Sequence, residues 1–256
     1  MIELNNITKR FPVNDESMAD NEQVRDGYFY ALDDISFSVK SGECVIIAGA
    51  NGSGKSLLMS IIAGLDEPAG GKVKTYAKTG LVFQEPDAQI LGETPREDIA
   101  FGPRNMRRSF PRGKLSKDEI MLKVKDALLQ TGLENRADFP ARSLSGGEKR
   151  RLAAAGVLAM DAEIMIFDEP YANMDFPGIV QINKLIQKLI ADKKTVIILT
   201  HEIEKCLALA NRFFVLNKGK KVLDCKAAEA LEYDLEKWGI RNPLKKKAAE
   251  LGDLLW

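Results

Sequence analysis

The sequence predicts an α/β fold with a parallel core sheet. Three observations carry this. Cys44–Ala48, Ile164–Phe167 and Thr195–Leu199 are short unbroken apolar runs, as expected of strands covered on both faces. The first runs straight into a Gly-rich loop and a helical stretch, Ser56–Ala63, which makes a strand–loop–helix unit. Between the other two lies Pro177–Ala191, with Ile179, Ile182, Ile186 and Leu189 at helical spacing and Pro177 suited to a first turn. Strand, helix, strand in that order implies a right-handed parallel crossover.

The remaining elements follow in order. Ile2–Phe11 alternates apolar and polar residues and reads as a strand. Val13–Gly27 is a polar loop in which Asp15, Glu16, Asp20, Glu22 and Asp26 outnumber Arg25; Tyr28–Val39 is a second strand, closed by the turn Lys40–Glu43. Gly80–Phe83 is a further short strand. From about 86 to 144 the texture changes: Pro86, Pro95, Pro103, Pro111 and Pro140 punctuate it, and Lys117–Gln130 is a helix with Ile120, Met121, Val124 and Leu128 on one face. Ser145–Met160 is a helix that opens with glycines. Phe213–Leu216 and Lys221–Leu223 flank Asn217-Lys218-Gly219 as a hairpin, and an amphipathic helical tail is expected from Lys226.

Composition narrows the function. Lysine and arginine total 37, aspartate and glutamate total 37, and the net charge of zero gives no support to nucleic-acid coating. Three scattered cysteines (Cys44, Cys206, Cys225) do not suggest a disulfide framework, and with one histidine they do not suggest a zinc site. Cys44 reads as a strand core residue and Cys206 as a helix residue. No stretch approaches the ~18 apolar residues of a membrane span, and Met1–Phe11 lacks a signal-peptide core, so a cytoplasmic location is expected.

Gly49-Ala50-Asn51-Gly52-Ser53-Gly54-Lys55-Ser56, followed by Leu57, matches the phosphate-loop pattern G-x-x-x-x-G-K-[ST]. Glycines let backbone N–H groups turn inward around phosphates, and the next helix presents its positive end. Lys55 suits the β- and γ-phosphates and Ser56 suits Mg²⁺, so ATP and Mg²⁺ are the expected cofactors. Ile164–Phe167 ends in Asp168, placed for the Mg²⁺ shell, and Glu169, placed to polarise a water. Leu144-Ser145-Gly146-Gly147-Glu148 is a second Gly-rich helix start, hence a second anion site.

With that last motif the chain resembles the ATP-binding subunits of ABC transporters, over residues 1 to about 225. The resemblance implies an α/β P-loop NTPase ABC cassette with a parallel core sheet, an antiparallel β subdomain and a helical subdomain (1–225, with about 86–144 the helical subdomain) and a C-terminal helical extension at 226–256. It implies a head-to-tail dimer in which Ser145, Gly146, Gly147 and Asp175 act on ATP held by the partner subunit. It further implies that Gln84 contacts Mg²⁺ or the attacking water, making Ser56, Gln84 and Asp168 the metal set. By the same resemblance, His201 is the γ-phosphate switch beside Glu169, and Phe11 the aromatic that stacks on adenine. Alone, Gln84 reads as a polar strand end and Phe11 as a core aromatic, with Tyr28 and Tyr30 as competitors. Tyr171 and Phe176 depart from the family's usual Ser or Thr and Pro.

Gln84–Gln89, Arg96–Pro103, Ala154–Met160 and Trp238–Pro243 together resemble the energy-coupling-factor (cobalt/vitamin-type) importer ATPases. The implied function is an ATP-hydrolysing motor at the cytoplasmic face of the membrane. Its expected partners are a second ATPase subunit, identical or paralogous, a transmembrane coupling subunit and a substrate-binding membrane subunit. An ABC-type ATPase acting on nucleic acid or ribosomes is the alternative. It is disfavoured by the single cassette and the balanced charge. The basic run Arg104, Arg107, Arg108, Arg112, Lys114 and Lys117 is either a solvated face or a surface turned toward the membrane.

Overall fold

The computed structural model describes residues 1–13, 21–105 and 115–244. In chain order the strands and helices are β1 (Ile2–Pro12), β2 (Val24–Arg25), β3 (Tyr28–Val39), β4 (Cys44–Ala48), α1 (Lys55–Ile62), β5 (Gly70–Thr75), β6 (Thr79–Val82), α2 (Pro95–Asn105), α3 (Lys117–Thr131), α4 (Gly146–Ala159), β7 (Ile164–Asp168), α5 (Phe176–Ala191), β8 (Thr195–Leu199), β9 (Arg212–Asn217) and β10 (Lys220–Lys226). The chain forms two units. One comprises Met1–Ile2, Lys40–Glu43 and Thr75–Ile198; the other comprises Glu3–Val39, Cys44–Lys74 and Leu199–Trp256.

In the second unit, an antiparallel-type layer of order β2-β3-β1-β5 accompanies strands ordered β10-β9-β4. β4 runs parallel to β9, with Ile46 opposite Phe213 and Ala48 opposite Val215. β4 is buried along its whole length, which is why its sequence is apolar without alternation. β3 alternates instead, and its buried side packs Phe37 on Phe214, with ring centroids 4.7 Å apart. Arg212 and Lys221 fasten this contact by donating to the carbonyls of Ser38 (2.7 Å) and Ser36 (2.9 Å).

In the first unit, β6 pairs in parallel with β7, and β8 is the next strand beyond β7. α4 lies directly on β6: a Cβ at Gly80 would stand 1.9 Å from Val157 Cγ1, so only glycine admits the helix this closely. α2, α3 and α4 share a core built from Ile99, Val124, Leu128, Leu144 and Leu152. α3 starts in a capping box, Ser116 with Glu119, and ends at Gly132 in the left-handed conformation.

Several expectations need correction. Among the described residues the tail is not an amphipathic α-helix. As far as residue 244 it makes two short 3₁₀ turns, Ala227–Glu232 and Leu235–Trp238, parted by extended Tyr233 and stopped by left-handed Gly239. Cys206 lies between two 3₁₀ turns rather than in a helix, although it is buried. The polar loop contains β2, paired with the start of β3, and Arg25 there forms a bidentate pair with Asp33 (2.5 and 2.8 Å). β5 is an additional strand. The run Arg96–Pro103 lies in α2, in keeping with the helical reading of this region, with Pro103 inside the helix. Asp15, Glu16, Asp20, Arg107, Arg108, Arg112 and Lys114 lie outside the described residues.

Candidate nucleotide site

The phosphate loop of the second unit is built between β4 and α1. Gly49 (φ 155°), Gly52 (φ 78°) and Gly54 (φ 101°) take conformations that side chains resist. Space forbids a side chain as well. A Cβ on Gly49 would lie 2.2 Å from the Leu216 carbonyl of β9, and one on Gly54 2.8 Å from the Ala31 carbonyl of β3. The loop is pinned from behind, since Gly219 N–H donates to Ser53 O (3.1 Å) and Asp33 N–H donates to Gly219 O (2.8 Å).

Lys55 is buried and folds over this loop, donating to Gly49 O (2.7 Å) and Ala50 O (3.1 Å). Ser53 Oγ is buried with no hydrogen-bond partner among the described residues. α1 has no side-chain cap, whereas α3, α4 and α5 are capped by Ser116, Ser145 and Asp175. Its first N–H groups and its dipole are therefore left for an external anion. Ser56 is exposed at the start of this helix and offers a hard oxygen donor of the kind Mg²⁺ takes.

Two other predicted residues share this unit. Phe11 is 43% exposed, with Lys9 Nζ 5.8 Å from its ring centroid. Its competitors are more covered. Arg10 stacks on Tyr28 (4.3 Å), and buried Tyr30 carries Arg25 on its face (3.7 Å) and accepts from Arg10 Nη1 (3.2 Å). The two guanidiniums lower the Tyr30 phenol below the usual tyrosine range. His201 is exposed and follows buried Thr200, whose N–H donates to Ile47 O (3.2 Å) in the strand that leads into the phosphate loop.

The first unit holds the rest: Gln84, Ser145, Gly146, Gly147, Asp168, Glu169 and Asp175. Asp168 ends β7 and Glu169 follows it, buried and at φ 43°, a left-handed conformation unusual for glutamate. Tyr171, which departs from the family pattern, is buried and donates to Asn183 Oδ1 of α5 (2.7 Å). Asp175 caps α5 by accepting from Gly178 N (3.0 Å), and neighbouring Phe176 is 77% exposed.

Ser145 and Glu148 form a capping box on α4: Ser145 Oγ accepts from Glu148 N (3.3 Å) and Glu148 Oε2 accepts from Ser145 N (2.8 Å). Arg136 Nε donates to the other Glu148 oxygen (3.0 Å). The Ser145 N–H and Arg136 hold the Glu148 carboxyl below the ordinary glutamate range. The S-x-x-E spacing signals this box in the sequence, alongside the anion site that its glycine-rich middle suggests.

A glycine cradle that excludes side chains, closed by a buried lysine and opening onto an uncapped helix, defines a nucleotide-binding P-loop protein. The chain belongs to the ABC transporter family, whose model matches residues 32–172. The energy-coupling factor transporter ATP-binding protein EcfA of Methanococcus maripaludis is 38% identical to it over 205 residues, 74% of this chain and 71% of the relative. EcfA2 of Clostridium tetani is 38% identical over 233 residues, 83% and 78% of the two chains. Among solved structures, cbiO1 of Clostridium perfringens, described as part of the ABC transporter complex cbiONQ, superposes with a TM-score of 0.75 at 31% identity, covering 94% and 95%. A dimeric ATP-binding cassette in a post-hydrolysis state with ADP and Pi gives 0.74 at 28% identity, covering 89% and 99%.

Proposed function

We propose that the chain is the ATP-hydrolysing motor subunit of an energy-coupling-factor-type importer for a vitamin or metal ion. The single observation that carries ATP binding is the uncapped start of α1 above the glycine cradle. In this reading the backbone of Gly49–Leu57 holds the phosphates, Lys55 leaves the Gly49 and Ala50 carbonyls for the β- and γ-phosphates, and Phe11 stacks on adenine. Ser56, Gln84 and Asp168 supply oxygen donors for Mg²⁺. No group of three or more His, Cys, Asp or Glu able to hold a metal ion occurs among the described residues. When bound, Mg²⁺ neutralises charge on the phosphates. Glu169 orients the attacking water and His201 supports the γ-phosphate.

The motor works as a dimer with an identical or paralogous cassette, whose ATP is met by Ser145, Gly146, Gly147 and Asp175. Binding favours the closed dimer because γ-phosphate contacts both subunits only in that state. Residues 1–225 form the cassette, with 86–144 as its helical subdomain, and 226–256 an extension. Among the described residues no helix is long and apolar enough to cross a membrane. In this reading the chain acts from the cytoplasmic face through a transmembrane coupling subunit and a substrate-binding membrane subunit.

Purification of the intact complex from membranes, with identification of the co-purifying chains, tests this directly. A coupling subunit and a substrate-binding subunit are expected. Recovery with ribosomes or nucleic acid would contradict the reading.

A further inference from the structure

We propose that Arg150 is a positioning residue for Gln84, fixing it to the signature helix α4 so that the two move together. The proposal rests on the reading of Gln84 as the group that meets Mg²⁺ or the attacking water, and it adds how that residue is held.

The segment after β6 is tied down at three points within one unit. β6 is the edge strand of its sheet, so its outer N–H and C=O groups need partners. Gln89 supplies them: its Nε2 donates to Leu81 O (3.0 Å) and its Oε1 accepts from Phe83 N (3.2 Å). One side-chain amide thus stands in for one residue of an additional strand. The intervening 3₁₀ turn, Pro86–Ala88, buries Pro86 and offers Asp87 to Lys149 Nζ (2.6 Å). That pair is largely in water on the aspartate side and contributes little by itself.

The third tie is of a different kind. Arg150 is buried, and its Nη2 donates to the backbone carbonyl of Gln84 (3.2 Å). A charge-assisted bond partly screened from water fixes position more strongly than a surface pair. Lys149 and Arg150 follow Glu148 directly, in the turn of α4 capped by Ser145. Any displacement of that helix start is therefore passed to the Gln84 backbone through this partly buried hydrogen bond. Gln84 itself is exposed, so its side chain stays available.

A double-mutant cycle on the full-length chain, with ATP turnover and thermal midpoint as readouts, tests this. Arg150→Met keeps the stem and removes the donors. It is expected to lower kcat by about tenfold while ATP KM stays within about twofold, the pattern of lost positioning rather than lost binding. Arg150→Lys should restore most of the loss. In a Gln84→Ala background, Arg150→Met should cause no further fall, because the side chain it positions is gone. Gln89→Ala should reproduce the kcat loss in part, and it serves if Arg150→Met does not fold. A full additional fall in the double variant, or Arg150→Met turnover equal to wild type, overturns the proposal. Unchanged turnover in Gln84→Ala alone overturns the reading of Gln84, and a separate Arg150 effect would then be structural.

Discussion

Gln84 and Glu169 follow the ends of neighbouring parallel strands, each two positions beyond the last paired residue. Val82 faces Phe167 in that last pair of β6 and β7. One strand end thus presents an amide and the next a carboxylate, at the edge of a parallel sheet where ligands bind. Glu169 also sits at φ 43°, so the backbone turns at the residue assigned to the water.

That turn gives the first prediction. Glu169→Gly should be more stable than Glu169→Ala by about 1 kcal/mol, because both remove the carboxylate but only glycine relieves the left-handed strain. Chemical denaturation of the two variants measures this, and equal stabilities would contradict it.

Helix α4 on β6 gives the second. Gly80→Ala places a Cβ where Val157 Cγ1 now stands and should cost about 1–3 kcal/mol. Adding Val157→Ala should recover part of the loss. Additive destabilisation in the double variant would show that the contact is not the cause.

The capping box of α4 predicts a pH dependence. The Glu148 carboxyl is held below its ordinary value in the folded state. Its contribution is therefore complete above the unfolded value, near 4.3, and is lost as pH falls through the lower folded value. Ser145→Ala should cost about 1 kcal/mol at neutral pH. Glu148→Gln should flatten the acid limb of the stability profile. An unchanged acid limb would count against the box.

Cys225 predicts a reactivity. Burial, with Glu229, Asp224 and Glu232 nearby, pushes its thiol up to about 11. Cys44 and Cys206 are buried, so alkylation of the folded protein should be slow at pH 8 and should accelerate at Cys225 toward pH 11. Rapid labelling of Cys225 near neutrality would refute this.

What was legible in the sequence followed from simple periods. β3, β4 and β8 have the expected bounds because unbroken or alternating apolar runs end at turn residues. Lys55 and the three loop glycines were legible because the loop needs those residue types at fixed spacing. β5 was missed because Gly70–Thr75 is Gly- and Lys-rich and mostly exposed, held through backbone pairing rather than burial. The tail misled because the apolar spacing of Ala227, Ala230 and Leu235 matches a helix, while the turn at Tyr233 and the left-handed Gly239 are backbone facts. The Tyr171–Asn183 bond and the Arg150–Gln84 link join residues 12 and 66 positions apart, and no local pattern reports such contacts.

The central claim is that this cassette hydrolyses ATP with Glu169 acting on the water. The most direct measurement compares ATP turnover, ATP binding and oligomeric state of Glu169→Gln with wild type. ATP binding should be retained, turnover should fall by about a hundredfold or more, and closed dimer should accumulate with ATP. Near-normal turnover in Glu169→Gln would contradict the account.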